Sequence, residues 1–213
     1  LTLAKRGRDF DTAVRDGNWE SRNTHQGSEL FGKNLLLVGF GRIGREVGKR
    51  ALAFGMQLHV YDPYVDEQQV GAAGAVYVKD LDTFLPKTDF LSLHLPYTPK
   101  NHHIIGHEEL RALPSSAYVI NTARGGLIDE DELFKALESG NLAGAGLDCF
   151  EQEPPSSNLK LLNSGKVIFS PHNASLTAEC TRRLGLVCVE NVVDALTGCL
   201  KKERVVNWDA DHA

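Results

Sequence analysis

The sequence lacks the patterns that mark disulfide-rich, membrane-spanning and nucleic-acid-binding proteins. Its four cysteines show neither C-x-x-C spacing nor the framework of a small disulfide-stapled domain, which favours reduced thiols in a cytoplasmic protein. Its longest apolar runs, such as Leu35–Val38, are strand-sized and far too short to cross a bilayer. It has no lysine and arginine run and a formal net charge of −5, which argues against nucleic acid as a partner. No signal peptide is visible.

What is present is the composition of an ordinary globular protein. Hydrophobic residues make up 42% and charged residues 24% of the 213 positions, which excludes a disordered or fibrous chain. The chain begins at Leu1 in a pattern that already resembles a helix. We therefore expect either that it was cut at this point or that further residues belong before it.

Short apolar runs alternate with helical patterns after residue 31. Strands are predicted over Leu35–Val38, Leu58–Tyr61, Phe90–Leu93, Tyr118–Ile120, Gly144–Leu147 and Val167–Phe169. Helices are predicted over Arg42–Phe54, Glu130–Ser139 with Asp129 as its cap, and Thr177–Leu196. Several of these strands are continuously apolar, as in strands that are covered on both faces. The alternation predicts an α/β fold, a doubly wound Rossmann-type parallel sheet with helices on both faces. A helical arm (1–20) and a loop (21–31) lead into this single domain.

A glycine loop joins the first predicted strand to the first helix. Gly39, Gly41 and Gly44 form a GxGxxG pattern directly after Leu35–Val38 and at the start of the helix from Arg42. In a dinucleotide-binding loop the first glycine permits the tight turn and the second lets the backbone approach a pyrophosphate. The third allows close helix–strand packing. The alternative is an ordinary glycine-rich turn, which this context makes the weaker interpretation.

Asp62 closes the next predicted strand, Leu58–Tyr61. A carboxylate at this position is placed to bind the hydroxyls of the adenosine ribose, and it would repel a 2′-phosphate. The residues that follow it, 63–66, include no cation that could bind such a phosphate. The sequence therefore predicts NAD rather than NADP as the cofactor.

Three further polar residues follow the ends of later strands: Arg124, Glu153 and His172. Each has a simpler explanation, as a solvated turn arginine, an exposed loop glutamate or a core histidine. Because ligands of open α/β sheets bind beyond the carboxyl ends of the strands, their common placement favours a catalytic set.

These residues lie within segments that together resemble one family. The segments are Val119–Asp129, Gly146–Glu151 with Glu153–Pro155, Ser170–His172 and His94–Pro99. They closely resemble the D-isomer-specific 2-hydroxyacid dehydrogenases, nearest to the 3-phosphoglycerate dehydrogenase-like members, and the resemblance runs from Leu30 to Asn207 in the same order.

The resemblance implies a role for each catalytic candidate. Arg124 would bind the substrate carboxylate and carbonyl oxygen with its forked guanidinium. His172 would be the acid and base, and Glu153 would hydrogen-bond it and favour its protonated form, raising its pKa. The residues implied at the cofactor, besides the glycines and Asp62, are Arg42, Ile43, Leu95, Pro96, Thr122, Ala123, Asp148 and Ser175. No metal is expected, and His102, His103 and His107 are interpreted as surface histidines.

The resemblance implies an NAD-dependent oxidoreductase that interconverts a small D-2-hydroxy acid and its 2-keto acid. The substrates would resemble the pair 3-phosphoglycerate and phosphohydroxypyruvate, or the keto acid would be one like hydroxypyruvate or glyoxylate. Two alternatives remain, an NAD(H)-sensing corepressor-like binding protein and a formate- or phosphite-type dehydrogenase. The family also implies a homodimer and a separate N-terminal substrate domain. That domain is expected to be absent here, so the isolated chain is expected to turn over little substrate.

Overall fold

The computed structural model describes residues 1–205, and Asn207, where the predicted resemblance ends, lies outside them. The chain divides into two compact units, Leu1–His172 and Asn173–Ala213. The first unit contains the sheet, and the second contains one long helix.

The first unit is built on seven parallel strands. They are β1 Asn34–Val38, β2 Gln57–Tyr61, β3 Val76–Tyr77, β4 Phe90–Leu93, β5 Tyr118–Asn121, β6 Gly144–Leu147 and β7 Val167–Phe169. Their order in the sheet is β3-β2-β1-β4-β5-β6-β7. The chain thus builds outward from β1 in one direction and then in the other, which creates a switch point between β1 and β4. The predicted doubly wound parallel sheet is confirmed.

The helices of the first unit are α1 Gly7–Arg15, α2 Ser21–Thr24, α3 Arg42–Ala53, α4 Glu67–Ala72, α5 Leu81–Phe84, α6 His107–Ala112 and α7 Glu130–Glu138. Asp129 caps α7 as predicted, since its Oδ1 accepts a hydrogen bond from the backbone N–H of Glu132 at 2.9 Å. Three acidic residues follow in the first turn of α7, where they complement the helix dipole.

Both faces of the sheet are buried, and alternate residues of one strand enter different cores. Leu36 and Val38 of β1 pack into a cluster that also contains Leu133 and Leu137 of α7. A second cluster is formed by Leu35, Leu37, Leu58, Val60, Ala51 and Val70, from β1, β2, α3 and α4. This double burial accounts for the unbroken apolar runs in the sequence.

Several elements differ from the sequence-based prediction. The edge strand β3 has only two residues and the helix α5 only four, too few to show a period in the sequence. The α-helix of the arm starts only at Gly7. The residue before it, Arg6, is the N-cap and has a left-handed φ of 50°, which a right-handed helix does not allow. The segment predicted as a loop (21–31) begins with the short helix α2.

The second unit contains α8, Ala178–Leu196, capped by the Thr177 hydroxyl, which accepts from the Cys180 N–H at 3.1 Å. The prediction over Thr177–Leu196 thus places this helix to within one residue. Among residues 1–205, the structure contains no helix that is long and apolar enough to span a membrane.

Candidate active site

Six strands end at one edge of the sheet, and the residues that follow them form the candidate site. The register pairs Val38 with both Tyr61 and Leu93, and then aligns Leu93 with Asn121, Asn121 with Leu147, and Leu147 with Phe169. The next residues along the chain therefore share this edge: Gly39, Asp62, His94, Thr122, Asp148 and Ser170. In open α/β sheets this is the edge at which ligands bind.

The glycine loop between β1 and α3 is packed so closely that two of its glycines have no room for a side chain. Gly39 has a φ of +97°, and a Cβ on it would lie 2.5 Å from the carbonyl oxygen of His94. A Cβ on Gly44 would overlap the carbonyl oxygen of Gly39. By contrast, a Cβ on Gly41 would meet no heavy atom of the described residues within 4 Å. Gly39 and Gly44 therefore close the turn, and Gly41 borders open space.

This loop fits the pyrophosphate of a dinucleotide. Gly41 is the N-cap of α3 and has no side chain to occupy the free backbone N–H groups of the first helical turn. Those donors and the positive end of the helix dipole suit an anion, and the open face of Gly41 leaves space for one. The fit rests on the loop's backbone rather than on a charged side chain.

Asp62 is buried, with 9% of its surface exposed, and it binds the glycine loop. Its Oδ2 accepts a hydrogen bond from the Phe40 N–H at 2.7 Å, and its Oδ1 accepts from the Tyr64 N–H at 2.9 Å. A carboxylate can accept about four hydrogen bonds, so acceptor positions remain for two ribose hydroxyls. The side chain therefore fits both tasks, shaping the loop and binding a ribose.

The turn after β5 presents the Arg124 guanidinium to solvent. Asn121 shapes this turn, because its Oδ1 accepts from the Ala123 N–H at 3.0 Å and its Nδ2 donates to the Arg124 carbonyl at 2.8 Å. Arg124 Nη1 donates to the Ala123 carbonyl at 2.6 Å. The other guanidinium nitrogens donate to no residue within 1–205, which leaves them for a ligand. The next residue, Gly125, must be a glycine, because a Cβ there would overlap the Phe150 carbonyl oxygen.

Glu153 and His172 form a hydrogen-bonded pair at the same edge. His172 Nδ1 lies 2.7 Å from Glu153 Oε2, and Glu153 Oε1 accepts from the Phe150 N–H at 3.0 Å. The hydrogen bond from His172, followed by that from Phe150, lowers the pKa of Glu153, and the positive charge of Arg124 acts in the same direction. Glu153 is thus ionised at neutral pH, and as an acceptor it fixes the proton of His172 on Nδ1.

Asp148 and Cys149 follow β6 and are both buried. Asp148 Oδ1 accepts a hydrogen bond from the Ser170 hydroxyl at 2.5 Å. Burial raises the pKa of Cys149 to about 12, with Glu153 and Asp148 adding to the effect. The thiol therefore stays protonated at neutral pH, which makes it unsuited to be a nucleophile.

The structure places nearly all the predicted site residues in the first unit. The glycines, Arg42 and Ile43 lie at the start of α3, and Leu95 and Pro96 follow β4. Thr122 and Ala123 lie in the turn of Arg124, and Asp148 follows β6. Ser175 belongs to the second unit and stays a prediction.

Two residues of this edge were missed in the sequence. Asn121 was given no role from the sequence, although its side chain organises the Arg124 turn. His94 directly follows β4 and lies beside Gly39, and burial lowers its pKa to about 4, so that the ring is uncharged at neutral pH. Its Nε2 lies 2.9 Å from the Ser92 hydroxyl. The signal that could have found both is their position directly at a predicted strand end.

Comparisons with known proteins agree on one family. Residues 1–174 match the model of the "D-isomer specific 2-hydroxyacid dehydrogenase, NAD binding domain" family. The chain is 42% identical over 195 residues to a D-3-phosphoglycerate dehydrogenase of Methanocaldococcus jannaschii, covering 92% of this chain and 37% of that protein. It is 44% identical over 186 residues to a hydroxypyruvate reductase of Thermotoga maritima, covering 86% of this chain and 59% of that protein. The chain thus spans less than two thirds of either relative.

A solved structure shows the same arrangement of elements. The D-lactate dehydrogenase from Aquifex aeolicus, complexed with NAD and lactic acid, superposes with a TM-score of 0.84 and is 34% identical. The match covers 93% of this chain and 64% of that one.

Proposed function

The chain belongs to the D-isomer-specific 2-hydroxyacid dehydrogenase family, over its NAD binding domain, and we propose that the whole protein interconverts a small D-2-hydroxy acid and its 2-keto acid. The observation that carries this proposal is the hydrogen-bonded Glu153–His172 pair. The positive charge of Arg124 also lowers the pKa of the Glu153 carboxyl. This pair lies at the sheet edge that also carries a loop fitted to a dinucleotide pyrophosphate.

Each of the three side chains has a distinct proposed task. Arg124 binds the substrate carboxylate and the carbonyl oxygen, for which its planar fork is suited. Because Nδ1 of His172 donates to Glu153, its Nε2 is the ring atom that exchanges a proton with the substrate hydroxyl or carbonyl oxygen. Glu153 keeps the ring in that tautomer and orientation. NAD, when bound, accepts or supplies the hydride.

The cofactor is proposed to bind along the same edge. The backbone of the glycine loop with Arg42 and Ile43 would hold the pyrophosphate, and Asp62 the ribose. Lining positions are assigned to Leu95, Pro96, Thr122, Ala123, Asp148 and Ser175.

The side chain of His172 is 48% exposed in this chain. A dehydrogenase site must exclude water when the substrate is bound, so we propose that a separate substrate domain outside these residues covers it. That domain would also select among 2-keto acids. The coverage of the two relatives supports this, because both are much longer than the chain.

We also propose a homodimer in the cytoplasm. Val14 and Trp19, which belong to the arm (1–20), are 58% and 60% exposed, and such apolar surface is suited to contact with a partner subunit. All four cysteines are free thiols, as expected in a reducing compartment. A monomeric mass by light scattering of the intact protein would contradict the dimer.

The direct test follows NADH oxidation by the intact protein with phosphohydroxypyruvate, hydroxypyruvate, glyoxylate and pyruvate. We expect turnover of at least one keto acid. NADH binding without turnover of any of them would contradict the proposal and favour a cofactor-sensing binding protein. NAD reduction by formate or phosphite would instead favour the third class of activity.

Replacing Arg124 tests its contact with the substrate. We expect Arg124→Lys to lower kcat/KM for the keto acid by about ten- to a hundredfold, because a charge-assisted hydrogen bond worth roughly 1.5–3 kcal/mol is lost. The NADH dissociation constant should not change. Arg111→Lys, an exposed arginine on α6, is the matched control. Equal kcat/KM in the two variants would contradict the assignment.

Replacing Asp62 tests the choice of NAD over NADP. Asp62→Asn retains an acceptor for the Phe40 N–H but removes the charge that repels a 2′-phosphate. We expect NADH to bind about tenfold more weakly and NADPH more tightly, as measured by fluorescence titration. Asp66→Asn, which caps α4 through the Gln69 N–H, removes an equal charge nearby and should leave the ratio of the two affinities unchanged. An unaltered ratio in Asp62→Asn would argue against ribose binding.

A further inference from the structure

His103 lies in the loop after β4 and is bound to the turn after β5 through its backbone. Its φ of 52° is in the left-handed region, and its N–H donates to the Gly126 carbonyl at 2.8 Å. Ile105 continues the pairing, because its N–H donates to the Leu127 carbonyl at 3.1 Å and its carbonyl accepts from Asp129 at 3.1 Å. Ile105 therefore forms an isolated parallel bridge with Ile128, in the chain that follows Arg124.

The His103 side chain joins this segment to the loop after β6. Its Nε2 lies 2.7 Å from Glu151 Oε1, and its Nδ1 lies 3.4 Å from Asp129 Oδ2. Because an ionised carboxylate only accepts hydrogen bonds, Nε2 carries the proton and donates it. The Glu151 N–H in turn donates to Glu130 Oε1 at 2.8 Å. One ring therefore connects the loops that follow β4, β5 and β6.

The backbone around Glu151 contacts both Glu153 and the turn that carries Arg124. The preceding N–H, of Phe150, donates to Glu153 Oε1 at 3.0 Å. On the other side, a Cβ on Gly125 would lie 2.6 Å from the Glu151 nitrogen, so the Arg124 turn packs directly on this segment. A shift of residues 150–151 would therefore displace Arg124 and Glu153 relative to each other.

We propose that His103 is a positioning residue, which fixes the Phe150–Glu151 backbone through its bond to Glu151 and so holds Arg124 and Glu153 in their mutual geometry. His103 does not touch the substrate in this role and acts through Glu151. The proposal deepens the proposed function, since it concerns how that same site is held.

His103→Asn in the full-length protein is the first test. Asparagine tolerates the left-handed backbone, but its side chain is too short to reach Glu151. We expect kcat to fall about tenfold, because small displacements of reacting groups are costly, while the NADH dissociation constant stays within about twofold of wild type. Long-range ¹⁵N NMR of histidine-labelled protein should also show His172 changing from one Nδ1–H tautomer to a mixture, as its contact with Glu153 loosens.

Two variants control for general damage. His103→Gln reaches Glu151 with its amide, and we expect it to recover most of the lost kcat and the single His172 tautomer. His107→Ala removes another histidine–carboxylate bond of 2.7 Å, to Glu132. Within residues 1–205 the Glu132 side chain makes no hydrogen bond to residues 150–153, so this variant should change neither readout. Glu151→Ala combined with His103→Asn should be no worse than the more damaging of the two alone.

The two readouts separate this proposal from the proposed function. If no keto acid is turned over but His103→Asn still alters the His172 tautomer, positioning is upheld and the dehydrogenase proposal fails. If the wild type is active and His103→Asn matches His107→Ala in kcat and in the His172 signal, positioning is overturned. An unchanged His172 signal in His103→Asn overturns it even when the wild type is inactive.

Discussion

His172→Asn in the intact protein is expected to lower kcat for keto-acid reduction by about 10²- to 10⁴-fold, the usual contribution of a positioned acid–base group. The reason is that Nε2 of this ring is the proposed proton donor, and asparagine has no group that ionises near neutral pH. Asparagine is chosen because His172 has a left-handed φ of 50°, which asparagine tolerates better than alanine does. The measurement is steady-state NADH oxidation, together with NADH titration by fluorescence.

The NADH dissociation constant should remain near wild type, because the groups proposed to hold the cofactor do not include His172. Glu153→Gln should show a smaller loss of kcat, since an amide oxygen still accepts from Nδ1 while the charge is gone. His107→Ala serves again as the histidine control. A His172→Asn enzyme that keeps more than a tenth of the wild-type kcat would remove His172 from the acid–base role.

The second large effect is expected in the glycine loop, where two single-methyl changes should separate folding from binding. Gly44→Ala places a Cβ on the Gly39 carbonyl oxygen, and backbone cannot move aside as a flexible side chain can. We expect its free energy of unfolding to fall by roughly 1–3 kcal/mol or more, as in other overpacked sites. Gly41→Ala meets no heavy atom of residues 1–205 within 4 Å and should fold with a loss of no more than about 1 kcal/mol.

For cofactor binding by the folded molecules, we expect Gly41→Ala to be the more damaging of the two variants. Gly41→Ala should weaken NADH at least about tenfold, or about 1.4 kcal/mol, since its methyl group enters the space proposed for the pyrophosphate. Urea unfolding and NADH titration of both proteins provide the comparison. Gly71→Ala, in α4 and with similar open surroundings among the described residues, controls for an added methyl group. Tight NADH binding by Gly41→Ala would place the pyrophosphate elsewhere.

The sequence determined the sheet because each long strand is buried on both faces. An unbroken run such as Leu35–Val38 can only lie between two apolar layers, and helical patterns on either side provide them. The predicted bounds of β4, β6 and β7 are those of the structure. The two-residue β3 could not be found in this way, because its pairing with β2 depends on the neighbouring strand and not on a local period.

For the site, the sequence by itself determined which residues follow the strand ends, and therefore which share one edge: Gly39, Asp62, Arg124, Glu153 and His172. In a parallel sheet the carboxyl ends of all strands lie at one edge, so chain order alone shows that these residues share it. The family resemblance already implied the Glu153–His172 hydrogen bond, and only the tertiary structure decided the contacts that no motif carries. The bond of His103 to Glu151 joins residues 48 positions apart, and no period or motif reports such a distance. Contacts of this kind depend on how separate loops fold back over one edge, where sterics and hydrogen-bond geometry select the partner.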